Sequence, residues 1–89
     1  MSPERKFEAR LVQLAKKHGV FCREVKWIGR NGAPDRMLID RLGAVTWVEL
    51  KSPGKQPTAI QLRGHMLMRK HGQTVVVIDS MEGVEALFQ

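Results

Sequence analysis

Two stretches decide the fold. The first is Gly32-Ala33-Pro34-Asp35-Arg36-Met37-Leu38-Ile39; the second, after the link Asp40-Arg41-Leu42-Gly43, is Ala44-Val45-Thr46-Trp47-Val48-Glu49-Leu50-Lys51. The apolar runs Met37–Ile39 and Ala44–Leu50, joined by a short link that ends in glycine, read as an antiparallel hairpin. Residues two apart on a strand share a face, so Glu49 and Lys51 project together while Leu50 goes to the core. Hairpin pairing sets Asp35, near the start of one strand, beside Glu49, near the end of the other. Two carboxylates and an ammonium then converge at one end of a sheet, and like charges that close require a cation. A hard divalent ion, Mg2+ with Mn2+ as a substitute, satisfies oxygen ligands and keeps waters for chemistry. A phosphodiester would complete such a site.

Working outward, Ser2-Pro3 reads as an N-cap with proline at the first helical position. Phe7, Leu11 and Leu14 then recur at helical spacing until Gly19, predicting a helix over about residues 3–18. Val20 to Ile28 alternates, with Phe21, Val25 and Trp27 on one side and Cys22, Glu24 and Lys26 on the other, predicting a first strand. Residues 29–34 form a loop by composition. Ser52-Pro53-Gly54-Lys55-Gln56-Pro57 is a second break, and Thr58 three residues before Gln61 is a capping-box pattern opening a helix that stops at His71-Gly72. Val75 to Ile78 reads as a strand buried on both faces, and Asp79 or Ser80 caps a short last helix through Phe88. The expectation is one α/β domain over residues 1–89, order αβββαβα, with a mixed central sheet flanked by helices.

The 89 residues carry 15 Lys and Arg against 9 Asp and Glu, a net charge of +6. All the basic side chains lie before residue 73, while Asp79, Glu82 and Glu85 make the remaining segment acidic. Such a field suits a polyanion, and nucleic acid is the leading partner. The one cysteine, Cys22, excludes an internal disulfide and a cysteine zinc finger. The longest apolar run falls far short of the roughly 20 residues that span a bilayer, and the first residues lack a secretory apolar region. An intracellular protein without a membrane partner is expected.

Gly32-x-Pro34-Asp35, Val48-Glu49-Leu50-Lys51, Pro53-Gly54 and Gln61, after a first helix bearing Glu8, resemble the VRR-NUC family of the PD-(D/E)xK nuclease superfamily. The likeness runs over about residues 4–79. It implies a restriction-endonuclease-like fold and metal-dependent cleavage of DNA. Carried over, Asp35 and Glu49 would coordinate the metal with the Leu50 carbonyl as a third ligand. Lys51 would hold the attacking water and stabilise transition-state charge, Glu8 would act through water or a second metal, and Gln61 would orient the site from the second helix. Stand-alone members resemble Holliday-junction resolvases in acting as homodimers, which implies a four-way or otherwise branched substrate. The same residues would serve a flap, nick or linear-DNA nuclease. Charge alone would equally suit a non-catalytic nucleic-acid-binding module, which metal dependence would distinguish.

Plainer readings stand beside these. Glu4 and Glu8 share a helix face near a favourable dipole, and Glu8 is preferred because it lies deeper, beside Leu11 and Val12. Gln61 serves equally as a cap. His65 reads as a surface histidine, Met66 and Met68 as gap fillers near the core, and Trp27 and Trp47 as core. Lys26, Arg30, Arg36 and Lys55 flank the two loops nearest the site and are the candidates for phosphate contact.

Overall fold

The computed structural model describes all 89 residues, in the order α1 (Pro3–His18), β1 (Phe21–Glu24), β2 (Arg36–Ile39), β3 (Val45–Leu50), α2 (Ala59–Lys70), β4 (Thr74–Ile78) and α3 (Met81–Ala86). Ser2 Oγ accepts the Arg5 amide at the start of α1, and Gly19 ends it in the left-handed conformation. Strands β1, β2 and β3 form an antiparallel meander, and β4 adds parallel to β3, giving sheet order β1-β2-β3-β4. The link between β2 and β3 is closed by Asp40, whose Oδ1 accepts the Leu42 and Ala44 amides.

One face of the sheet carries the core. Phe7, Leu11, Leu14 and Ala15 of α1 pack on Leu38, Val48 and Leu50, and Val84 of α3 closes the cluster. Each of these larger apolar side chains contributes roughly 1.5–3 kcal/mol when fully buried, so this layer holds α1 against the hairpin. Helix α2 packs on the opposite face, near β4. Its approach to the loop before Asp35 depends on two glycines. Gly32 has φ +95°, and a Cβ there would stand 3.1 Å from the Ile60 carbonyl oxygen; one on Gly64 would stand 3.2 Å from the Gly32 carbonyl oxygen.

Several expectations are corrected. β1 ends at Glu24 rather than Ile28, because Pro34 has no amide hydrogen to continue the ladder beyond the bond from Val25 to the Asp35 carbonyl. β4 is not covered on both faces: it is the last strand of the sheet, and Val77 is 38% exposed. Trp27 and Trp47 lie half-buried outside the core, their rings 6.0 Å apart, with the Trp47 indole donating to Gln73 Oε1. The buried stripe of α2 also runs differently. Met66 is 66% exposed, Met68 is half-buried and His65 is fully buried. No helix is long and apolar enough to cross a membrane.

Candidate active site

The β2–β3 register pairs Arg36 with Val48, which brings the preceding Asp35 alongside Glu49. The Asp35 amide donates to the Val48 carbonyl at 2.9 Å, and its Oδ2 accepts the Leu50 amide at 2.7 Å. Alternation along β3 sends Val48 and Leu50 to the α1 core and Glu49 to the α2 side. Lys51 follows on the same side as Glu49, its Nζ 3.9 Å from Glu49 Oε2. The hairpin thus gathers Asp35, Glu49 and Lys51 at one sheet end, as their spacing predicts.

Glu49 is the unusual group. It is only 2% exposed, and its Oε1 has no hydrogen-bond partner. Burial, and then the adjoining Asp35 carboxylate, push its pKa up to about 8, against the opposing pull of Lys51. A buried polar atom left unpaired costs about 1–3 kcal/mol. A divalent cation would relieve both the charge repulsion and the orphaned oxygen, so these residues fit such an ion. No three His, Cys, Asp or Glu side chains stand ready as ligands; the donors at hand are the Asp35 and Glu49 carboxylates and main-chain oxygen such as that of Leu50.

Gln61 both caps α2 and touches Glu49. Its Oε1 accepts the Thr58 amide, and Thr58 Oγ1 accepts the Gln61 amide, which completes the capping box. With Oε1 so engaged, Gln61 Nε2 donates to Glu49 Oε2 at 3.3 Å. The residue that the sequence reading misplaced is His65, one turn further along α2. Its Nε2 stands 3.4 Å from Glu49 Oε1. Burial, followed by the charges of Arg69 and Lys51, lowers its pKa. Its i+4 spacing from Gln61 on a helix already directed at Glu49 was the signal available.

From the other side, α1 contributes Glu4 and Glu8, which line a cleft of about 220 Å³ with Ser2, Arg5, Asp35 and Leu50. Glu4 Oε1 accepts from the amide and hydroxyl of Ser52. Glu8 Oε2 accepts from Arg36 Nε at 3.0 Å. Both acids therefore border Asp35. Arg36 is half-buried against Glu8, whereas Lys26, Arg30 and Lys55 are exposed and form no ion pair.

No family model matches the sequence. The chain is 37% identical over 79 residues to "Putative nuclease p44" of Acyrthosiphon pisum secondary endosymbiont phage 1, covering 89% of this chain and 85% of that protein. Its structure superposes on a solved "VRR_NUC domain" with TM-score 0.92 and 31% identity, over 98% of this chain and 95% of the other. With the same element order and the hairpin carrying Asp35, Glu49 and Lys51, the chain belongs to the VRR-NUC family of nuclease domains.

Proposed function

We propose that this protein is a metal-dependent endodeoxyribonuclease that hydrolyses phosphodiesters in branched DNA, four-way junctions above all. The carrying observation is the buried Glu49 carboxylate, unpartnered at Oε1 and set against Asp35. In this reading Asp35, Glu49 and the Leu50 carbonyl would hold Mg2+ or Mn2+, which would supply Lewis-acid polarisation of the phosphoryl group and a lowered water pKa. Lys51 holds the attacking water and places a fixed positive charge where the transition state becomes more negative. Gln61 keeps Glu49 in its rotamer. Glu8 acts from the α1 side of the cleft, its carboxylate steadied by Arg36.

Lys26, Arg30 and Lys55 offer positive charge to the DNA backbone, with Arg36 beside them still paired to Glu8. Trp27 and Trp47 pack on each other rather than standing as a stacking platform, which favours recognition of DNA shape over base sequence. A homodimer would place two such sites for paired cuts, and action inside the cell accords with the single free cysteine.

The test is a panel of a four-way junction, a flap, a nicked duplex and a linear duplex of equal length. It is run with Mg2+, with Mn2+ and with a chelator, using Asp35→Asn as the blank. Fastest cleavage of the junction and none with chelator are expected. Cleavage that survives chelation overturns the metal reading, and equal rates across the panel overturn the preference for branches. Sedimentation showing only monomer at assay concentration overturns the dimer.

A further inference from the structure

Three buried side-chain polar atoms lack a hydrogen-bond partner in this molecule: Glu49 Oε1, His65 Nδ1 and His65 Nε2. Two of the three face each other, His65 Nε2 lying 3.4 Å from Glu49 Oε1. A ring retained only to fill space would be better replaced by leucine or phenylalanine, which leave no unpaired nitrogens. His65 also follows Gln61 at i+4 on the buried face of α2, so the two side chains reach Glu49 as a pair. Gln61 Nε2 takes Oε2 and His65 Nε2 faces Oε1.

We propose that His65 is a positioning residue for Glu49: in its Nε2–H tautomer it donates to Oε1, so that α2 grips both oxygens of the carboxylate and fixes its direction toward the divalent ion. The inference rests on the metal-dependent reading above. The Nε2–H tautomer belongs to the state in which a cation keeps Glu49 ionised, because an Nε2 lone pair turned on the carboxylate would then be repelled. Gln61 engages only Oε2 of Glu49; the second donor engages Oε1 as well. The close approach of Gly32 and Gly64 keeps α2 near enough for both donors to reach.

The experiment compares wild type, His65→Leu and His65→Gln. Mn2+ affinity is measured by calorimetry, kcat and KM are measured on a four-way junction, and thermal melting is followed for each. His65→Leu should weaken Mn2+ binding about 10- to 100-fold, the usual effect of removing a group that orients a ligand, while His65→Gln, which keeps an N–H in reach, stays within about 3-fold of wild type. kcat should fall in the leucine variant with KM for DNA unchanged, and its melting temperature should not drop.

Wild-type affinity in His65→Leu, or a glutamine variant no better than leucine, overturns the assignment. Should wild type itself take up no Mn2+, the metal reading fails, and the contact is then judged separately by ¹⁵N spectra of the imidazole. With the Glu49 carboxylate ionised, protonation at Nε2 is expected, and protonation at Nδ1 overturns the contact.

Discussion

Asp35 clamps the main chain at Leu50. Its Oδ2 accepts the Leu50 amide at 2.7 Å while its own amide donates to the Val48 carbonyl, so one residue both holds the end of β3 and supplies a carboxylate to the site. The two contributions separate on substitution. Asp35→Asn keeps an acceptor for Leu50 and removes the charge that opposes ionisation of Glu49; it should fold at least as well as wild type without metal and lose cleavage to background. Asp35→Ala also loses the clamp and should be less stable by about 1.5–3 kcal/mol, the worth of a hydrogen bond to a charged group. Thermal melts in chelator beside a cleavage assay check both. An asparagine variant that cuts at the wild-type rate would remove Asp35 from the chemistry.

Lys51 is the one cation placed to offset Glu49, with Nζ 3.9 Å from Oε2. Lys51→Ala should lower cleavage by about 10²- to 10³-fold, the effect of deleting one preorganised electrostatic contact, with DNA binding at low salt little changed. Because Lys51 lowers the Glu49 pKa, its loss should destabilise the protein more at about pH 9, where Glu49 is charged, than at about pH 6. Equal destabilisation at both values would show that the ammonium does not act on Glu49.

The raised pKa of Glu49 links stability to pH. Its ordinary value is 4.5 and the folded value about 8, so between them the folded state holds a proton that the unfolded chain releases. Stability from this group is complete below about pH 4.5 and is lost as pH rises through about 8. In chelator the melting temperature should therefore decline across that window. Saturating Mg2+ should flatten the decline, since a bound cation takes the place of the proton and its binding releases one. A melting curve in chelator that does not change over the window would contradict the burial of a protonated Glu49.

Gly32 and Gly29 both have positive φ, but only Gly32 meets α2; a Cβ added on Gly29 would meet nothing within 4 Å. Each alanine substitution should cost about 1–3 kcal/mol in backbone strain. Gly32→Ala should cost more than Gly29→Ala, because the added methyl presses on the Ile60 carbonyl. It alone should weaken cleavage, by pushing Gln61 and His65 away from Glu49. Paired melts and rates test this, and identical behaviour of the two variants would mean that the loop does not position α2.

The fold was legible wherever local chemistry specifies it. Ser2, Pro3 and Gly19 bound α1 correctly, and the Thr58–Gln61 pair located the start of α2. The hairpin register carried Asp35 to Glu49. The errors lie where a neighbour distant in sequence decides the outcome. Val75–Ile78 reads the same as a central or an edge strand, and only the sheet order shows that Val77 lacks cover. Met66 and His65 are adjacent on one helix, and which of them turns inward depends on where the sheet lies.

The order αβββαβα and the gathering of Asp35, Glu49 and Lys51 can be read from the residues in line, because alternation along a strand and pairing across a short turn are local rules. The pairing of Arg36 with Glu8, the reach of Glu4 to Ser52 and the burial of His65 against Glu49 come instead from packing. These contacts join residues 28, 48 and 16 positions apart. They form only after α1 and α2 have packed on opposite faces of the sheet, which local periodicity does not encode.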